Sequence, residues 1–148
     1  ERIEFGSEII EIKPYAFYQC RALTEINLPN TLKTVGNYAF CGCSALLEIT
    51  LPDSVETLGN GCFEECDAIK TFTAGKGLKT VGNNAFMLCP KLESVTLNQG
   101  LTEIGDKAFA NSRIPRKCER PWRLCYRLQT VEIGQIAVVH KSCVGRSV

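Results

Sequence analysis

Phe17, Phe40, Phe63, Phe86 and Phe109 recur at a strict interval of 23 residues, and the residues between them recur as well. Each copy follows the framework A-F-x-x-C-x-x-L-x-x-I-x-L-P-x-x-L-x-x-V-G. In the second copy this is Phe40, Cys43, Leu46, Ile49, Leu51, Pro52, Val55, Leu58 and Gly59. A unit so short cannot bury its own apolar side chains, so copies must stack and share one core. A fixed period in the twenties therefore predicts a solenoid of stacked coils.

The columns assign the elements. Ile26, Ile49, Phe72 and Val95 share one position, and Leu28, Leu51, Ala74 and Leu97 share the next but one. An apolar pair separated by one polar residue is a short half-buried strand by its period of two. Ile3 and Phe5 occupy the same columns one repeat earlier, so the chain opens inside a strand and reads as a fragment of something longer. Pro29, Pro52, Gly75, Gly77 and the run Asn98 to Gly100 end the strands, through a missing donor or a positive φ. Leu32/Val35, Val55/Leu58, Leu78/Val81 and Leu101/Ile104 then pair at i,i+3 before Gly36, Gly59, Gly82 and Gly105, which predict a second tight turn. The Ala-Phe-x-x-Cys segment predicts one short helical turn, 3₁₀ in character, aiming all three side chains inward. The phenylalanines form a spine inside the coil and are not a cofactor box.

The register breaks after Phe109. Ser112 stands where cysteine is expected, Pro115 falls in the leucine column, and Trp122, Cys125, Leu128, Val131 and Ile133 restart the pattern in a shifted frame. Residues 1–110 thus read as five regular repeats, the first partial. Residues 111–121 read as an irregular connection, and 122–148 as a partial repeat with a cap or tail. The 45% hydrophobic content suits a single domain with an extended core, and no apolar run approaches the length of a membrane span. Net charge is +1, unevenly spread: residues 1–112 carry −5 and residues 113–148 carry +6. Arg113, Arg116, Lys117, Arg120, Arg123 and Arg127, with Trp122 and Tyr126 among them, could face phosphates and bases. One short basic segment on an otherwise acidic chain reads instead as a solvated loop, and no nucleic-acid partner is expected.

Nine cysteines raise the question of a disulfide framework. Cys20, Cys43, Cys66 and Cys89 form one column, continued by Cys125, and Cys62 replaces an alanine found in the other repeats. Such thiols read as small buried hydrophobes. Parallel stacking brings them close but points their Cβ vectors alike, which disfavours bridging. Cys41, Cys118 and Cys143 lie outside the core columns and are expected to label first or be bridged. With Cys125 and His140, the last two give C-x6-C-x14-H-x2-C, compatible with zinc, a disulfide or free thiols, but matching no tight zinc knuckle.

Catalysis needs titratable groups that converge beside a base or metal. His140 is the single histidine, and its one reactive neighbour is Cys143, with no third orienting group. Glu64 and Glu65 are adjacent and so point apart. No phosphate loop, dinucleotide fingerprint or HExxH occurs, so no catalytic, cofactor-binding or metal residue is assigned.

The framework CxxLxxIxLPxxLxxIGxxAFxx, written in Cys20–Tyr38 and Cys43–Gly61, closely resembles the BspA-type (treponemal-type) leucine-rich repeats. The resemblance covers residues 3–110, and it extends weakly over 122–133. It implies a leucine-rich-repeat solenoid with short parallel strands on one face and turns and short helical turns on the other. Phe72, Ala74 and Gly75 in the third full strand depart from the pattern. Members are typically secreted or cell-surface proteins of bacteria and some protozoa, several implicated in adhesion to host matrix proteins or in coaggregation. The resemblance therefore implies an extracellular or surface-exposed module that binds protein or glycan as a monomer, without cofactor. A spacer within a longer surface protein is the alternative. The candidate ligand face is the exposed strand column Glu25, Asn27, Glu48, Thr50, Thr71, Thr73, Ser94 and Thr96. These positions hold no Trp, Tyr or Arg, the residues that usually dominate binding energy, so weak affinity or a contribution from the flanks is expected.

Overall fold

A computed structural model describes residues 2–113, which wind into five stacked coils. Each coil contributes a three-residue strand, a two-residue strand and a turn. The three-residue strands are β1 (Arg2–Glu4), β3 (Glu25–Asn27), β5 (Glu48–Thr50), β7 (Thr71–Thr73) and β9 (Ser94–Thr96). The two-residue strands are β2 (Glu11–Ile12), β4 (Thr34–Val35), β6 (Thr57–Leu58), β8 (Thr80–Val81) and β10 (Glu103–Ile104). All pairing is parallel and in register at the repeat interval, as Ile49↔Phe72↔Val95 shows. Residues 114–148, which hold most of the irregular connection and Trp122, Cys118, Cys125, His140 and Cys143, lie outside the described residues.

Strands occupy two faces, not one. The segments before Gly36, Gly59, Gly82 and Gly105 form a continuous five-stranded sheet, where the sequence suggests no strand and only a tight turn at the glycines. Two residues are too few for a period of two to show, so only the inward Ile12, Val35, Leu58, Val81 and Ile104 are visible as a pattern. The other sheet is interrupted: β1 pairs with β3, and β5 with β7 and β9, with a long 3.4 Å bond from Leu47 N to Thr24 O at the seam.

No helix exists among the described residues, and the expected helical turns are absent. Left-handed backbone explains this. Positions 15, 38, 61, 84 and 107 form one column of positive φ, and 19, 42, 65, 88 and 111 form another. Two such residues per turn break any run of helical dihedrals. They also divide the amides. Tyr38, Phe40 and Gly42 donate to Asn60, Cys62 and Glu64 carbonyls of the next coil, while Ala39, Cys41 and Cys43 donate locally to Gly36, Tyr38 and Phe40. Every second N–H therefore stitches coils together.

The core is the predicted spine. Phe17, Phe40, Phe63, Phe86 and Phe109 stack with centroids 5.0, 5.3, 5.2 and 5.3 Å apart and planes within 16°. That spacing is slightly wider than the distance of about 4.8 Å between paired strands. Phe72 departs from the strand consensus without disturbing β7; it is fully buried and packs at 4.5 Å on Phe86. At the first coil the cover is thinner: Phe17 is half-buried against Phe5, and Cys20 is exposed.

The glycine column has a different reason from the one its sequence suggests. Gly36, Gly59, Gly82 and Gly105 do not take positive φ. Neighbouring coils approach too closely there for a side chain. A Cβ on Gly82 would lie 2.6 Å from Gly59 C and 2.7 Å from Asn60 N. Beside them runs a ladder that the sequence reading missed: Asn37, Asn60 and Asn83 each accept on Oδ1 from the next coil's Asn60, Asn83 and Asp106 N–H at 2.8, 2.8 and 2.7 Å. Gly82→Ala should push two coils apart at this ladder and cost about 1–3 kcal/mol, as overpacking does. Urea denaturation checks it: a midpoint equal to the parent's would show that the coils separate freely here.

Candidate functional site

The eight candidate positions all fall on the three-residue strands. Glu25 and Asn27 lie on β3, in register with Arg2 and Glu4 of β1; Glu48 and Thr50, Thr71 and Thr73, Ser94 and Thr96 align across β5, β7 and β9. All are exposed except Thr71, which is half-buried. The structure thus unites the last six in one sheet and sets Glu25 and Asn27 in its neighbour, across the seam. Leu47 stands exposed at that seam. Arg2 joins the column that contains Glu25, an arginine that the eight candidate positions leave out. A depression of about 520 Å³ adjoins this end, lined by Arg2, Glu4, Phe5, Asn27 and Pro29 among others. The face is a lattice of hydroxyls, amides and a few carboxylates, able to hydrogen-bond but without an apolar anchor at its centre.

The buried thiols among the described residues are packed into the core or against it. Cys43, Cys66 and Cys89 Sγ donate to the Phe17, Phe40 and Phe63 carbonyls of the preceding coil at 3.3, 3.2 and 3.2 Å. Ser112 Oγ makes the same bond to Phe86 O at 2.9 Å, so serine serves in this column as cysteine does. Burial pushes the Cys43 and Cys89 thiols up to about 12 and raises Cys62 and Cys66 as well. Such thiols are poor nucleophiles, because the thiolate is the reactive form. Two expectations change. Cys20, expected inside the column, is exposed in the first described coil. Cys41, expected to be reactive, is buried, and burial with Glu64 and Glu65 nearby raises its pKa to about 11. No group of three or more metal-ligating side chains gathers among the described residues.

The turn face carries the aromatic surface that the strand face lacks. Tyr15 stacks on Tyr38 at 5.3 Å with planes 13° apart, and Tyr18 meets Tyr15 edge-on at 5.7 Å. Tyr15 is 58% and Tyr18 48% exposed. Tyr38 lies over Gly61, where a Cβ would come within 2.4 Å of its ring and 2.8 Å of Glu64 Oε2. Beside this cluster a groove of about 500 Å³ crosses the coils past Arg21, Ser44, Glu65, Asp67 and Leu88. The signal for it was present as two tyrosines at the repeat interval, but an i,i+23 pair reads as exposed only once the turn geometry is known.

The family described as BspA type leucine rich repeat region matches residues 1–116, in six copies. The fold is similar to that of the leucine-rich repeat protein of T. pallidum, with a TM-score of 0.71 at 25% identity over 90% of this chain and 60% of that one. It is also similar to a leucine-rich repeat protein from Bacteroides ovatus, TM-score 0.57 at 29% identity over 74% of this chain and 34% of that one. A leucine rich cell surface protein from Faecalibacterium prausnitzii matches with TM-score 0.57 at 26% identity, over 73% of this chain and 38% of that one. The chain therefore spans less than two thirds of each of these solved relatives. No curated protein matches it in sequence.

Proposed function

The chain belongs to the BspA-type leucine-rich-repeat family, and on that premise we propose that it is a surface-displayed or secreted recognition module. It binds a protein or glycan ligand as a monomer, without catalysis. The observation that carries this reading is the array of polar side chains from Glu25 and Asn27 to Ser94 and Thr96, in register within each of two neighbouring sheets, β1–β3 and β5–β7–β9. Such an array presents donors and acceptors at a fixed strand spacing, which suits an extended polar partner. The cell-surface setting has its support in the Faecalibacterium prausnitzii relative, a leucine rich cell surface protein. No helix among the described residues is long and apolar enough to cross a membrane.

The test is a binding screen of the whole chain against extracellular-matrix proteins and glycans, followed by charge reversal. Glu25→Lys with Glu48→Lys should weaken any ligand by about tenfold, the scale of one or two lost charge contacts. Undiminished affinity would remove the ligand from the sheet face. A second reading, that of structural spacer coils, draws on the same face, whose eight candidate positions include no aromatic anchor; it expects no ligand in the screen.

A further inference from the structure

The tyrosine cluster is costly to build. Tyr15 and Tyr38 hold left-handed backbone, φ 61 and 56, at the position where the third, fourth and fifth coils use Gly61, Asn84 and Lys107. Glycine and asparagine reach that region with little penalty; a bulky aromatic does not. Folding alone favours the smaller residues, so strain kept at a stacked aromatic pair, with Tyr15 exposed and Tyr38 half-buried, points to a use for the rings. The neighbouring charge narrows that use. Glu64 Oε2 and the Tyr38 ring converge over Gly61, and Glu65 follows in the groove wall. Among the described residues the ion pairs engage Glu11, Asp53 and Glu56, and none engages Glu64 or Glu65. Burial, with Glu65 beside it, raises the Glu64 pKa, the direction a bound cation would reverse.

We propose that the turn face of the first three coils is a second binding surface, which takes a cationic peptide segment. An arginine or lysine side chain would lie against Tyr15 and Tyr38 with its charge toward Glu64 and Glu65, and the groove beyond would hold the peptide's continuation. Aromatic rings attract cations through their negative faces, and a nearby carboxylate adds to that attraction. Tyrosine and arginine are also the residue types that concentrate binding energy at protein contacts. This surface is separate from the sheet face and does not depend on it.

The experiment is fluorescence anisotropy of the whole chain with a labelled octapeptide of alternating arginine and glycine, and with its counterpart bearing glutamate for arginine. The arginine peptide should bind saturably and the glutamate peptide should not. Glu64→Gln with Glu65→Gln should weaken binding by about tenfold, whereas Glu25→Gln with Glu48→Gln, the same charge change on the sheet face, should alter it by less than about twofold. Tyr15→Asn with Tyr18→Ser changes no charge and should weaken it by about fivefold or more. Asparagine suits the left-handed backbone, as Asn84 shows, so this variant keeps the fold. Absence of binding by the parent, equal responses to the two glutamine pairs, or an unaffected tyrosine variant would each overturn the proposal.

Discussion

Phe63→Ala is expected to destabilise the solenoid by about 3–5 kcal/mol, the cost of removing a fully buried aromatic side chain. Phe63 is wholly inaccessible and stacks on Phe40 at 5.3 Å and Phe86 at 5.2 Å, so its loss opens a cavity between two other rings. The coils on either side are tied by backbone bonds, such as Phe40 N to Cys62 O at 2.8 Å, which prevents collapse onto the gap. Thr73→Ala, on the exposed side of β7, should stay within about 0.5 kcal/mol. Chemical denaturation of the two variants compares them directly. Similar midpoints would mean that the phenylalanine stack does not hold the coils together.

Raising the pH above 9 should unfold the protein through its buried thiols. Burial lifts Cys89 from 9.0 to about 12, and Cys62 and Cys66 also rise. The sign follows from linkage. Below pH 9 the thiols are protonated in both states and this contribution is intact. Between 9 and the folded values the unfolded chain loses protons that the folded chain keeps, so stability falls as pH rises. Each thiol then removes about 1.4 kcal/mol per pH unit, and several act together. Ser112 indicates the control: Cys66→Ser with Cys89→Ser retains a donor for the Phe40 and Phe63 carbonyls and removes two titrating groups. Circular dichroism from pH 8 to 11.5 should show the serine variant unfolding at higher pH than the parent. Coincident curves would show that the thiols do not govern the alkaline transition.

The phenylalanine interval determines the architecture almost alone, because one period leaves a single way to share a core. Legibility ends where a column has more than one physical cause. Glycine after Val35 or Leu58 is compatible with a turn or with close approach, and only the stacking distance decides between them. Apolar residues spaced as in Ala39, Phe40 and Cys43 fit a helical turn, yet a backbone with positive φ at Tyr38 and Gly42 also points all three inward. Two-residue strands leave no alternation to detect. Cys20 and Cys43 are identical within their repeats, and their different burial comes from position in the stack, which no repeat-level pattern records. For the site, the strand columns were readable because alternation separates inside from outside. The tyrosine cluster was not, since its exposure depends on dihedrals that neither composition nor spacing reveals.

The bonds that join one coil to the next run along the direction in which the coils stack, from Lys33 N to Ile10 O at one end to Gly105 N to Val81 O at the other. A pull along that direction therefore opens them in tension, coil by coil, instead of shearing many at once. Every coil released adds 23 residues of free chain, about 80 Å when extended. A stack of this kind behaves as a stepwise extensible tether, able to lengthen severalfold under load while the coils not yet reached keep their shape and whatever they hold.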